Sequence, residues 1–585
     1  MKILSNIYKK AVFAATVAFG ILATSCTDYL TIIPADVVVE ENFWQTKDQV
    51  NGMLATSYLK LFSSNAVAKA IVWGEVRSDN MTFPPSYNTD IKNIVEANIT
   101  DENGYCNWGI FYEAISNANL VLESAYKTLE TDPDFTEGDL AVVEGEMYAM
   151  RALCHFYLVR TFRDIPLATH SAKNDAEIPE YIQVHPLEAL DFIMEDLDKA
   201  EGMVMKSGAY SNPAQNLGRI TRNAVLAMKA DVNLWRAAFA KYYEGTEYKL
   251  VNKEGTVYVN PADALTYYNQ CIQNCETLIK NMDDALLGDD DDKKGNKRDE
   301  FYSVYNLIPN RGEAKELTAN HNSTAYDAIF GAKNSSESIF ELQVPSDDTS
   351  KGTVKGVLNV YGTDNSPGLA CVPQGFIEKT YQEDDLRAYS FTNLKKFNQQ
   401  SSADNSSICI TKYVAKSSPA GNYRKSGDWD ANWILYRRTD VLLMMAEAMV
   451  TREGATEDDC RKAFDIVNAI NTRSRMDTTE IKYPFKVNDY LTADKAMELV
   501  RAERLRELSY EGKRWYDLVR LALRDKKTDN IKFVADKLES GAVVKTKMST
   551  IDGLFMPIHI NELRYNKNLK QNPAYEKKNS STEMN

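Results

Sequence analysis

The chain has 585 residues, 44% of them hydrophobic and 26% charged, which is enough to bury a large core, and its formal net charge is −15. That acidity argues against general binding to nucleic acid or anionic lipid. The eight cysteines make no CxxC pairing and no cysteine–histidine spacing of a zinc site.

The N-terminus reads as an export signal. Lys2, Lys9 and Lys10 precede an apolar stretch from Ala11 to Ala23, and small residues lead to Cys26. At about 13 residues the stretch is short of the ~20 that a bilayer span needs, so residues 1–25 are expected to be removed. Their loss would leave a net charge of −18, because they hold three lysines and no acid. Leu22-Ala23-Thr24-Ser25-Cys26 resembles a bacterial lipobox, which implies cleavage before Cys26 and a diacylglycerol on its thiol, with palmitate-type chains as the anchor. Each buried methylene contributes about 0.8 kcal/mol, so two or more acyl chains hold where one is marginal.

Helical patterning follows. "NWGIFYEAISNANLVLESAYKTL" sets Trp108, Phe111, Ile115, Ala118 and Val121 or Leu122 at steps of three and four, the stripe of a buried helix face. "LAVVEGEMYAMRALCHFYLVRTF" repeats this with Val143, Met147, Met150, Leu153 or Cys154 and Tyr157, and stops where Pro166 blocks further helix. The next segment opens with Thr221 as its cap and ends near Gly245; another starts with Pro261 in its first turn. Cys271 and Cys275, one turn apart, read as small residues on a buried face rather than metal ligands. "ILYRRTDVLLMMAEAMVTREG" and "ATEDDCRKAFDIVNAINTRSR" form a later helix pair. Ala at close-packing positions and short Gly-containing turns make these pairs resemble tetratricopeptide repeats without a clean 34-residue period.

Between Gly288 and Asn432 the chain is rich in Gly, Ser, Asn, Asp and Pro, with short β-like runs at 338–344 and 407–414. "GDDDDKKGNKRDE" reads as a solvated loop. Its aspartates lack the alternating ligands and Gly of an EF-hand, so neither calcium nor another cofactor is expected. The fold class is therefore mostly α: a TPR-like scaffold over about 40–285 and 433–525, a loop-rich insertion with short strands over about 286–432, and a C-terminal segment 526–585. The mature chain, 26–585, is expected to be one domain.

Signatures of catalysis are missing. The five histidines are scattered, and there is no HExxH, no phosphate-binding loop and no Ser-His-Asp grouping. His155 reads as a hydrogen-bonded packing residue. Glu503, Glu507 and Glu511 stack at four-residue steps and would repel one another unless answered; Arg501, Arg504, Arg506 and Arg514 are the expected partners in a structural ion network.

Several motifs carry a resemblance: "DYLTIIPADVVVEENFW" (28–44), "RALCHFYLVRTFRDIPL" (151–167), "RRTDVLLMMAEA" (437–448), "ERLRELSYEGKRWYDLVR" (503–520) and "LFMPIHINELRYNKNLKQNPAY" (554–575). In this order they make the chain resemble the SusD/RagB family of Bacteroidetes outer-membrane lipoproteins. Departures are His559 and Ile560 after Pro-Ile, and Ala574 where Gly is commoner. Arg514, Trp515 and Asp517 follow Gly512, a helix break; Trp515 is expected to turn into the scaffold while Arg514 and Asp517 pair. Asp440 and Glu447 are expected to be held by arginines at a packed helix junction.

The resemblance implies a surface-exposed lipoprotein that binds oligo- or polysaccharide, hands it to a SusC-like TonB-dependent transporter, and catalyses nothing. A sugar ring packs its C–H face on a flat aromatic, and its hydroxyls need polar groups around the rim. By that criterion the candidates are Trp73, Arg77, Asp79, Asn80 and Tyr87 in "WGEVRSDNMTFPPSYNTD", Trp429 in "YRKSGDWDANW", and Tyr305 and Tyr361 in the loop-rich middle. Trp44, Trp108, Trp235 and Trp515 are assigned to the core. The competing readings are a surface glycoside hydrolase, a peptide-binding family member and a protein-binding scaffold.

Overall fold

The computed structural model describes residues 43–171, 181–245, 263–287, 305–310, 323–344, 352–363, 366–394, 407–414, 431–476 and 485–576. Cys26, Pro261, Trp429 and the acidic loop at 288–300 lie outside these residues.

The scaffold is a series of helices packed side by side. The N-terminal half holds α1 (Lys47–Leu61), α2 (Ser64–Ile71), α3 (Gly109–Ser124), α4 (Glu137–Phe162), α5 (Pro186–Met203), α6 (Arg222–Tyr243) and α7 (Ala264–Leu287). The insertion contributes α8 (Gly352–Tyr361); the C-terminal half holds α9 (Arg438–Thr451), α10 (Glu457–Arg473), α11 (Ala493–Leu508) and α12 (Arg514–Arg524). Contacts run α1–α3–α4–α5–α6–α7–α9, then α9 onto α10 and α11, while α12 returns to pack on α6. Stacked helix pairs bury a face that no single pair could cover, the logic of repeat scaffolds. The mostly helical, TPR-like class expected from the sequence is the one observed.

Local chemistry sets the helix ends. Thr46, Thr136 and Thr456 each form a capping box with the residue three positions on, Gln49, Asp139 and Asp459. Helix α4 stops at Phe162, Arg163 adopts φ 69°, and Pro166 enters β1 (Ile165–Pro166), which pairs antiparallel with β2 (Gln183–Val184). Thr221 does precede α6, but its hydroxyl bonds Ser207 at 2.9 Å instead of capping the helix. The stripe from Trp108 to Val121 and that from Val143 to Tyr157 are buried; Leu122, the alternative to Val121, is half-buried. His155 is buried as a packing residue: Nδ1 donates to the Arg151 carbonyl at 3.0 Å, Nε2 accepts from the Ala168 N–H at 3.3 Å, and burial lowers its pKa to about 3.

One expectation for the insertion is corrected. The run at 338–344 supplies β3 (Ser338–Leu342), antiparallel to β4 (Trp433–Arg437), but 407–414 forms no strand: Ile408 and Ile410 make isolated bridges and Lys412–Val414 is a 3-10 turn. Within the insertion α8 packs on α2, so closely that a Cβ on Gly356 would lie 2.7 Å from the Ser64 carbonyl. That glycine is a packing requirement, and it masks the helical signal of the segment.

Candidate functional site

The candidate loop begins where α2 continues into a π-helical turn, Val72–Val76, beneath the start of α12. Glu75, fully buried, accepts the backbone N–H groups of Tyr510 at 2.7 Å, Lys513 at 2.8 Å and Arg514 at 3.3 Å. A carboxylate there satisfies N–H donors that the first turn of α12 leaves open and complements its dipole. Burial nonetheless raises the Glu75 carboxyl above the usual range.

The neighbouring side chains are absorbed by the same junction. Trp73, 2% exposed, donates from Nε1 to the Tyr105 carbonyl at 2.8 Å and packs against Phe111 and Phe162. Arg77 donates to the carbonyls of Leu554 and Gly553 at 2.7 and 2.8 Å and stacks on the Trp515 ring at 4.4 Å. Asp79 forms a two-point pair with Arg514 at 2.8 and 3.1 Å, and Asn80, fully buried, donates to Glu75. Lys537 donates to the Ser78 and Met81 carbonyls, and burial lowers its pKa to about 7. Thr82 and Cys371 exchange backbone hydrogen bonds at 2.8 Å. Trp73 and Asn80 therefore offer no surface to a ligand. Their polar setting, which suggested exposure, is the set of partners that a buried helix start requires.

Tyr87 stands apart. It is 48% exposed, with its ring edge-to-face on Phe83 at 5.6 Å and the Lys92 ammonium 4.4 Å from its centroid. Asn88 caps the following helix, Thr89–Val95, by accepting the Ile91 N–H, which fixes Lys92 one turn in. An aromatic pair with a cation on one face, carried by a pinned base, is a rigid amphipathic patch. Sequence reading named Tyr87 and missed Phe83 and Lys92; the Asn88 cap was the available signal, since it sets Lys92 back beneath the loop. Tyr361 is 2% exposed and donates to the Tyr510 carbonyl at 2.8 Å, so it belongs to the core. Tyr305 packs half-buried on the core, and burial raises its hydroxyl pKa to about 12.

The stacked glutamates are answered from elsewhere than expected. Arg387 reaches Glu503 at 2.6 Å and Glu507 at 3.1 Å; Arg437 reaches Glu507 at 2.9 Å and Glu511 at 2.7 Å. Arg473 pairs with Glu507 at 2.7 Å and Lys412 with Glu511 at 2.6 Å, all at zero side-chain exposure. Of the four arginines expected, Arg506 alone joins the column, at 2.7 Å from Glu503. These cations outweigh burial and hold Glu511 at about 2 and Glu507 lower still. Carboxylates so paired are structural.

The helix junction beside it departs from expectation at one pair. Arg514 turns to Asp79, and Asp517 pairs instead with Arg504 at 2.9 Å and Arg520 at 2.7 Å. Glu447 is held by Arg520 at 2.8 Å and Arg504 at 3.4 Å, while Asp440 is held by Lys513 with Arg504 at 3.5 Å. Trp515, 3% exposed, does turn into the scaffold.

Comparison with known proteins places this architecture. A family model described as "SusD family" matches residues 336–575, and one described as "Starch-binding associating with outer membrane" matches residues 28–234. SusD-like protein P38 of Formosa agariphila is 25% identical over 532 residues, covering 87% of this chain and 90% of its own; SusD-like protein P2 of the same organism is 23% identical over 506 residues, covering 85% and 88%. A SusD homolog from Bacteroides thetaiotaomicron superposes with a TM-score of 0.65 at 17% identity, over 91% of this chain and 98% of that one. A SusD superfamily protein from Parabacteroides distasonis gives 0.60 at 22% identity, over 90% and 99%. The two family matches, which together take in residues 28–234 and 336–575, show that the chain belongs to the SusD/RagB family.

Proposed function

We propose that the protein is a glycan-binding accessory lipoprotein of the outer membrane, tethered through Cys26, exposed at the cell surface, and delivering oligo- or polysaccharide to a SusC-like TonB-dependent transporter. Family membership supports the glycan and the membrane association, since the model matching residues 28–234 is described in those terms. No described helix is long and apolar enough to cross a membrane, which is consistent with attachment by lipid. The observation that carries the reading is the Tyr87 patch. With Lys92 over its ring and nearly half the residue exposed, the tyrosine offers ring surface to sugar C–H groups, with an ammonium and its own hydroxyl beside it. Trp429 and Tyr305 remain candidate contributors from the insertion. Long glycans engage such shallow patches repeatedly, so modest affinity per contact suffices. No reaction is proposed.

The test is retardation in affinity gels cast with a panel of polysaccharides, comparing wild type, Tyr87→Ala and Trp429→Ala. At least one neutral glycan should retard the wild type, and Tyr87→Ala should weaken binding about tenfold, equivalent to ~1.4 kcal/mol. Absence of retardation across the panel, or release of new reducing ends, would overturn the assignment. Cys26→Ser should move the protein from the membrane to the soluble fraction.

A further inference from the structure

Away from the Tyr87 loop, α5, α6 and α7 enclose a polar groove of about 710 Å³. Helix α6 forms its floor and the two helices packed on it form its walls. On the floor, Leu226 and Asn233 are 2% and 1% exposed, and Arg222, Lys229 and Arg236 recur every seven residues. Each cation is already engaged from the α5 wall: Arg236 by Asp191 at 2.5 Å, Lys229 by Asp198 at 2.7 Å and Glu201 at 2.8 Å, Arg222 by Glu201 at 3.0 Å.

Three features remain. Glu195, exposed on the same wall between Asp191 and Asp198, has no ion pair among the described residues, and its charge adds to the burial that raises the Asp191 carboxyl. The opposite wall presents the amides of Gln270 and Asn274 on successive turns of α7, followed by Thr277, whose hydroxyl donates to the Gln273 carbonyl at 2.8 Å. Asn233 gives its carbonyl to Arg236 at 3.3 Å, and its NH2 makes no hydrogen bond among the described residues.

This lining fits an extended chain of peptide units. Four residues of helix rise ~6 Å, and two residues of extended or polyproline-II chain advance ~6–7 Å. Consecutive α7 side chains therefore meet every second peptide group. From Asp191 to Glu201 the wall runs ~15 Å, room for about five extended residues. No aromatic ring is among the described residues that line the groove, so these offer no flat surface of the kind carbohydrate prefers, and the unanswered carboxylate calls for a cation. We propose that the groove holds an extended, basic polypeptide segment of a partner protein, its main chain bonded to the α7 amides and a lysine or arginine placed on Glu195. The assignment is independent of the glycan reading.

The test uses a fluorescein-labelled, end-capped (Lys-Gly)4 peptide and the full-length protein in detergent, followed by anisotropy at about 0.15 M salt, where long-range attraction is screened. Binding should saturate. Glu195→Lys should weaken it about tenfold, as expected for loss of a charge-assisted contact. Gln270→Ala with Asn274→Ala, which changes no charge, should weaken it about fivefold. Glu457→Lys, exposed on α10 outside the groove, should leave it unchanged. The proposal is overturned if the peptide does not bind, if Glu457→Lys matches Glu195→Lys, if the amide variant binds as wild type, or if a neutral oligosaccharide displaces the peptide. Circular dichroism confirms that each variant is folded, which is expected because the groove side chains project from intact helices.

Discussion

Gly74 and Gly512 mark the point where the candidate loop crosses the start of α12, and they are glycines for different reasons. A Cβ on Gly74 would sit 1.7 Å from the Gly512 carbonyl oxygen, so any side chain forces two backbones apart. Gly512 has φ +71°, and its Cβ would come no nearer than 3.3 Å to the Ala70 carbonyl oxygen, so its constraint is mainly conformational. Gly74→Ala should therefore cost about 3 kcal/mol or more, and Gly512→Ala about 1–2 kcal/mol. Thermal unfolding of the two variants should reproduce that order. A Gly512→Ala midpoint below that of Gly74→Ala would contradict the geometry. Gly74→Ala should also weaken glycan binding, because Glu75, Asp79 and Asn80 anchor the base on which Tyr87 stands, whereas Tyr87→Ala should weaken binding with the midpoint unchanged.

At the level of elements, the buried column on α11 joins parts of the chain that are far apart in sequence. Glu507 alone is shared by Arg387, Arg437 and Arg473, which come from the insertion, β4 and α10. Removing its charge leaves three guanidinium groups under-compensated without water, a situation that costs about 3–5 kcal/mol for a broken buried pair. Glu507→Gln should show that loss in urea unfolding, while Glu498→Gln, whose Lys495 partner is equally exposed on the same helix, should show none. Equal effects would mean that the column is not structural. The same column shows what a sequence discloses. Helices α3, α4, α9 and α10 were legible because apolar periodicity is local, and the role of the glutamates followed from their mutual repulsion. Their partners were not legible, since Arg387 lies 116 residues before Glu503 and only the tertiary fold brings them together. Trp73 and Tyr361 misled for the converse reason. Polar neighbours suggest a solvated loop, yet here Glu75, Asn80 and Asp79 are polar because a buried helix start and Arg514 need them. The exposure of Tyr87 was legible because its Pro-Pro approach is local turn chemistry.

Across the whole molecule the two halves differ in how their buried carboxylates are held, and this sets the response to acid. In the 433–524 layer Glu503, Glu507, Glu511 and Asp517 are depressed by surrounding cations, Glu511 and Asp517 to about 2. A carboxylate whose folded pKa lies below its unfolded value of ~4 stabilises the fold fully above that value. The contribution drains away as pH falls towards 2. In the N-terminal half Glu75, Glu146, Asp164 and Asp196 are instead raised by burial. These take up protons more readily folded than unfolded, so acidification favours the fold at their positions. The opposing signs predict a stability plateau near neutral pH, a steep fall between about pH 4.5 and 2, and a loss that starts in α9–α12. Thermal midpoints measured across that range should fall as described and change little with added salt, because the pairs are buried. Hydrogen-exchange labelling after a brief pulse at pH 3 should mark α9–α12 before α3–α6; the reverse order would show that burial of the N-terminal carboxylates, and not loss of the Glu507 column, governs acid unfolding.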